Sequence, residues 1–259
     1  MTIRSLITTL LTAGAFTTTL PSCNGIMSGI YDEPPAEITE TSAGQLYLDA
    51  SDWTKWHYID FNALIDLDED GNPSALWQSF DVPLHKLDAS EGNGKNGLYT
   101  YWYDVYGSGL SNREFREFAP TAAQKEPESW TLAVHRNNAR TNGCSVAATE
   151  FTSMDQLPED RKYYDTLTYT PDKWNETDVW VIQDRMLLGL IGNQGIETND
   201  VLSSWLKVDI PPFPPKFTLN NHIFIMRTPE GEYAAIQLEN YQNALGTKCH
   251  MTINYRYPL

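Results

Sequence analysis

Cysteine is almost missing from this chain: Cys23, Cys144 and Cys249 are the only three in 259 residues. That scarcity excludes a small disulfide-stapled scaffold, and no histidine sits at zinc-ligand spacing from any of them. Cations are also scarce, with 18 Lys and Arg against 34 Asp and Glu and a formal charge of −16. A surface of that sign repels nucleic acid and anionic lipid, so neither is an expected partner; the acidity itself serves solubility. Beyond the N-terminal segment no apolar run approaches membrane-spanning length. Catalytic signatures are absent too: there is no Gly-x-Ser-x-Gly elbow, phosphate-binding loop or dinucleotide fingerprint. Carboxylate pairs abound simply because the chain is acidic, so no glycosidase pair stands out. Nothing among these residues recommends an enzyme.

What is present begins at the N-terminus. Arg4 precedes an apolar run, residues 6–20, whose polar members are all threonines, and the run ends in Leu20-Pro21-Ser22-Cys23. This resembles a bacterial lipobox, in which the cysteine is acylated and becomes the new N-terminus. The expectation is a lipoprotein signal peptide over residues 1–22 and lipidation at Cys23. An ordinary signal peptide with an incidental cysteine, or a buried apolar helix, would use the same residues. Residues 23–45, rich in Gly, Pro, Glu, Ser and Thr and without periodicity, are expected to form a flexible tether. Membrane contact would then be made through the lipid anchor alone.

Aromatic residues are plentiful and many lie in alternating runs, the signature of half-buried strands. A strand pair is expected within 45–61, with Trp56 and Tyr58 on one face and His57, Ile59 and Phe61 on the other. Further strands are expected at 77–82, 98–106, 130–136, 178–182, 217–226, 233–239 and 250–257. Turn residues separate several of them, at 70–73, 93–97 and 229–231. Thr228-Pro229-Glu230-Gly231-Glu232 marks the clearest hairpin. Helical patterns are confined to 186–191 and 199–206. The fold class is mainly β: one antiparallel domain over 46–259 with long loops and few short helices.

Several residue groups carry candidate chemistry. Asp66, Asp68 and Asp70 followed by Gly71 repeat the opening of a calcium loop, but position 12 of such a loop would be Trp77 instead of a bidentate Glu. An acidic exposed turn explains the same residues. The five histidines, His57, His85, His135, His222 and His250, show no i, i+4 pair on a helical pattern, and each reads as packed and structural. Cys144 and Cys249 are a possible disulfide in an oxidising compartment, or two buried thiols. Pro211-Pro212-Phe213-Pro214-Pro215 makes a stiff loop with an apolar tip, suited either to wall a pocket or to connect two strands.

Three blocks resemble the HmuY family, haem-binding surface lipoproteins of Bacteroidetes. The first is Leu48-Asp49-Ala50-Ser51-Asp52-Trp53-Thr54-Lys55-Trp56-His57-Tyr58-Ile59-Asp60-Phe61. The second, Trp130-Thr131-Leu132-Ala133-Val134-His135-Arg136-Asn137-Asn138-Ala139-Arg140-Thr141-Asn142, is similar to the family's signature and is followed by Met154-Asp155-Gln156. The third runs from Trp205-Leu206 through Phe217-Thr218-Leu219-Asn220-Asn221 to Leu238-Glu239-Asn240-Tyr241 and Tyr255-Arg256-Tyr257-Pro258. The resemblance implies a β domain shaped like a half-closed hand on the outer-membrane surface. It implies haem held between two loop-bearing strands, no catalysis, and hand-over to an outer-membrane receptor of the TonB-dependent class.

Axial ligation in the family is by paired histidines or by methionines, and His135 does not match a ligand position. One ligand position falls here at about Ile210, which cannot coordinate iron. The other falls within 173–188, where Met186 is the sole soft side chain. The implied cleft is formed by 174–191 and 205–215, with Met186, Trp180, Ile210 and Phe213 as candidate binding residues and Met186 as the candidate iron ligand. Residues 62–129 form an insertion that remodels the binding face. The competing reading is an accessory, adhesin-like lipoprotein that binds a glycan or a protein through its aromatic region 99–106. A weaker one is a carbohydrate-active enzyme with unidentified carboxylates.

Overall fold

Strict alternation builds the edge of the main sheet. In Gln45–Asp49, Leu46 and Leu48 are fully buried while their neighbours are not, and the paired strand Lys248–Arg256 buries Cys249, Met251, Ile253 and Tyr255 in the same rhythm. The computed structural model describes residues 44–70, 77–83, 99–104, 118–120, 123–183, 190–209 and 214–259. Within them the architecture is mainly antiparallel β with few short helices.

The largest sheet has six strands in the order Gln45–Asp49, Lys248–Arg256, Tyr233–Gln242, Phe224–Arg227, Ser145–Ala148 and Thr170–Pro171. Its central strand, Tyr233–Gln242, is almost continuously buried because both faces are covered. Ala234, Ile236 and Leu238 face the largest core, shared with Ile59, Leu132 and Val134. Tyr233 and Ala235 face a second cluster with Leu157 and Tyr164. The hairpin expected around residues 228–232 joins Phe224–Arg227 to Tyr233–Gln242.

A four-stranded sheet, ordered Trp77–Asp81, Lys55–Ile59, Leu132–His135 and Asn138–Thr141, packs between this core and a third cluster. Trp56, Tyr58 and Ala133 meet Val179, Val181 and Ile196 in that cluster, while Ile59 turns to the main core, as the expected alternation requires. A five-stranded assembly places Leu190–Thr198 between Lys173–Asn175 and Tyr99–Asp104, with Phe118–Pro120 at its edge and Trp180–Ile182 also paired to Leu190–Thr198. Leu206–Asp209 and Lys216–Leu219 form a separate hairpin.

Several expectations need correction. The acidic segment proposed as a calcium loop or exposed turn is instead the end of a helix, Phe61–Asp70. The backbone through these residues is helical and not that of a coordinating loop. The helix is docked by Phe61, stacked on Tyr255 at 5.9 Å, and by a 3.0 Å hydrogen bond from Tyr257 to Asn62. The single strand expected over 217–226 is two strands, broken at 220–223, where Asn220 turns the chain by accepting a hydrogen bond from the His222 amide. Helix was expected to reach Ile191, but Leu190–Thr198 is a nine-residue strand. At 199–206, where a turn or two of helix was expected, one turn does form, Asp200–Ser203, capped by the Asn199 side chain on Leu202. Cys144 and Cys249 are free and buried, so the possible disulfide is not formed. The signal segment, Cys23, most of the tether, His85, Met186, Ile210, Phe213 and the turns at 71–73 and 93–97 lie outside the described residues.

At Gly192 two strands approach closely. A Cβ there would stand 2.7 Å from the Ile182 Cβ, too near for a side chain on either backbone to yield. Gly192→Ala is therefore expected to push Trp180–Ile182 off its neighbour and lower stability by about 1–3 kcal/mol. Urea unfolding of the variant checks this; an unchanged midpoint would show that the strands are not this close.

Candidate binding cleft

The Trp130–Asn142 block folds as a tight hairpin. Leu132–His135 and Asn138–Thr141 pair with His135 opposite Asn138, leaving Arg136 and Asn137 as a two-residue turn. Such turns need a positive φ at the first central residue, a place usually taken by Gly or Asn. Here it is Arg136, at φ 55°. An L-residue in that region costs about 1–2 kcal/mol.

His135 points inward from the end of its strand and is fully buried. Its Nε2 lies 2.9 Å from the Trp53 carbonyl, which can only accept, so Nε2 carries the proton. The ring packs against Trp56 at 5.3 Å, and burial pushes its pKa down to about 4. It is a neutral brace. His57 is buried likewise, with Nδ1 2.8 Å from Ser79 Oγ and its pKa lowered by burial. His250 holds Tyr47 at 2.9 Å. Among the described residues no group of three His, Cys, Asp or Glu side chains is placed to hold a metal ion.

The hairpin then gathers the chain on both sides of it. On one side the Asn138 amide donates to the Asp178 carbonyl at 2.9 Å, and Asp172 accepts from the Thr141 amide at 2.6 Å. On the other, the Trp205 indole donates to the Asn137 carbonyl at 2.8 Å, Ser203 accepts from the Ala139 amide at 2.9 Å, and the Asn199 amide donates to the Ala139 carbonyl at 2.8 Å. Burial raises the Asp172 carboxyl, although Thr141 and Asn199 both donate to it.

Between the two gathered segments lies a cavity of about 540 Å³. Asn175, Asp178 and Trp180 line one wall, Ser203, Leu206 and Val208 the other, and the Arg136–Asn138 turn closes it. The Trp180 ring is fixed by a 2.8 Å hydrogen bond to the Thr177 carbonyl and stacks on Trp53 at 6.0 Å. Behind it the Arg136 guanidinium sits 3.6 Å from the Trp53 ring centre.

Of the candidate residues, Trp180 stands on this wall. Met186, Ile210 and Phe213 fall in segments 184–189 and 210–213, outside the described residues. Sequence reasoning missed Arg136, Asn137 and Asn138 as cavity residues. The available signal was a polar tripeptide between two strand patterns, the mark of a two-residue turn.

Comparison with known proteins bears on the same region. The HmuY protein family matches residues 52–255. A candidate lipoprotein from Bacteroides fragilis is similar in structure, with 26% identity and a TM-score of 0.57, covering 86% of this chain and 94% of that one. A candidate HmuY-like haem-binding protein from Bacteroides vulgatus shares 28% identity at a TM-score of 0.55, covering 88% and 98%. An apo HmuY analogue from Tannerella forsythia, at 19% identity and a TM-score of 0.56 over 86% and 97%, shares the fold. No curated protein sequence matches the chain.

The buried imidazole makes stability depend on pH. His135 titrates at about 4 when folded and about 6.5 when unfolded, so the unfolded chain binds more protons between these values. Stability is expected to fall as pH drops from 6.5 through 4, by up to roughly 3 kcal/mol, with His57 adding in the same direction. Urea midpoints of wild type and His135→Gln at pH 7, 5.5 and 4.5 should converge as pH falls. A constant gap would remove His135 from the acid response.

Proposed function

The chain belongs to the HmuY family, and from that premise we propose that it is a lipid-anchored surface protein that captures haem in this cleft. Capture is followed by hand-over to an outer-membrane receptor, with no catalytic step. Residues 1–22 act as the signal, Cys23 carries the lipid, and residues 23–45 lift the domain from the outer membrane. Among the described residues no helix is long and apolar enough to cross a membrane.

One observation carries the reading. Described residues of the two regions that the family resemblance associates with the haem ligands, Asn175, Asp178 and Trp180 within 173–188 and Leu206 and Val208 just before 210, line one cavity. Its volume of about 540 Å³ lies within the range of about 300–1,000 Å³ usual for small-molecule sites. The Trp180 ring, backed by Trp53, offers a flat apolar surface, and Leu206 and Val208 oppose it from the other wall. The described lining contains no His, Met or Cys. Met186 is the side chain that would ligate the iron, through its thioether. The affinity would then rest mainly on the aromatic wall.

A haem titration followed by absorbance in both oxidation states tests this. A saturable Soret shift near equimolar haem is expected, diminished in Met186→Ala. An unchanged spectrum in the variant would remove Met186 from the site. A flat wild-type titration would overturn haem capture and favour the glycan- or protein-binding reading.

A further inference from the structure

Trp180 is the one aromatic plate among the described cavity residues, and little of the core packing holds it there. With Trp53 and Ile191 it forms a small cluster apart from the three larger apolar clusters. Its strand shifts register against Leu190–Thr198 between Trp180 and Ile182, where the ladder is locally disrupted. One hydrogen bond, to the Thr177 carbonyl at 2.8 Å, fixes the indole edge. The ring is backed by Trp53, stacked on it at 6.0 Å. Trp53 lies in the turn between Gln45–Asp49 and Lys55–Ile59, so no ladder holds it either. A turn side chain of that size keeps one place only where other groups offset the entropy it loses.

Two residues of the Leu132–Thr141 hairpin do so. His135 Nε2 donates to the Trp53 carbonyl at 2.9 Å, and the Arg136 guanidinium lies 3.6 Å from the centre of the Trp53 ring. Arg136 holds that position against its own preferences. It adopts φ 55°, where glycine would sit without strain. Its Nη1 is buried with no hydrogen-bond partner. No described carboxylate pairs with it, in a chain with 34 Asp and Glu. Its gains are the Trp53 ring and a hydrogen bond to the Cys249 sulfur. A carboxylate at this point would draw the guanidinium into a paired fork and off the indole.

We propose that Arg136 is a positioning residue for the cavity: by pinning Trp53 it holds Trp180 in place, so that a planar ligand meets a preformed aromatic wall. The cation acts through Trp53 and not on the ligand. The inference rests on the haem reading and deepens it, since it says how the site gains affinity where the described lining offers no iron ligand. A wall fixed in advance spares the ordering of two large side chains on binding.

Circular dichroism reads the wall with no ligand present, because two stacked indoles give an exciton signal that depends on their fixed geometry. The contribution of the pair is the difference between wild type and Trp180→Phe. Arg136→Gly relieves the turn and leaves Trp53 unpinned. It is expected to unfold cooperatively in urea, to lose most of that signal, and to bind haem roughly two- to thirtyfold more weakly, the span of one cation–π contact. Arg136→Lys keeps a cation over the ring and should retain most of both. If the glycine variant does not fold, Arg136→Met, of similar reach and without charge, gives the same comparison. A merely structural role would lower the urea midpoint and leave the signal of the folded variant as in wild type. That outcome, equal losses in Arg136→Lys, or an unchanged haem affinity once the signal is lost would overturn this inference while leaving haem capture intact. No Soret change in wild type would overturn both.

Discussion

The hairpin Leu132–Thr141 is the constraint on which the cleft depends. Its own strands contribute Leu132 and Val134 to the main core and Ala133 to the cluster beneath the cleft. Its turn and second strand lend backbone and side-chain groups to segments more than 25 residues away along the chain: Asp172 and Asp178 on one side, Asn199, Ser203 and Trp205 on the other. These are polar contacts to buried backbone, where an unmade bond costs about 1–3 kcal/mol against about 1 kcal/mol gained. That asymmetry makes them locators more than sources of stability. Neither wall could shift without leaving a buried amide or carbonyl unpaired. His135 extends the same logic to the first strand pair, since its proton on the Trp53 carbonyl fixes the ring that backs Trp180.

A chain short of cations uses several of them as packing pieces. Arg140 lies 5.0 Å from the Trp130 ring and pairs with Glu126 at 2.7 Å. Arg161 lies over Tyr233 and pairs with Glu232 at 3.2 Å. Each gains from an aromatic face and from a carboxylate together. Arg136 has the aromatic face without the carboxylate, which separates it from two otherwise similar arginines. Exposure does not account for the difference, since the Arg161 side chain is half exposed and that of Arg140 largely buried, yet both are paired.

Much of the sheet framework was legible because alternation is a local signal. Trp56 and Tyr58 against Ile59, the hairpin around residues 228–232, and the strands ending the chain follow from period-two burial. The strand Leu190–Thr198 was not legible. It carries Asn193 and Gln194, both fully buried, and two glycines, so its polar residues mimic a loop. Those residues are explained by contacts distant in sequence: Gln194 accepts from the Trp56 indole at 2.8 Å, and Gly192 makes room for Ile182. The acidic run Asp66–Asp70 misled for the opposite reason. Its local pattern matched a calcium loop, while the helix is set by Phe61 docking on Tyr255, far along the chain.

The cleft shows why a family signature and a ligand chemistry are separable. The residues that make the second block recognisable, His135 to Asn142, act largely on backbone groups and on Trp53, and so place the walls. The candidate ligand positions drawn from the family resemblance, Met186 and about Ile210, lie outside the described residues. A cavity located by one set of residues and furnished by another can keep its place while its contents change. Family membership therefore argues for the fold, and the side chains that line the cavity argue separately for its contents.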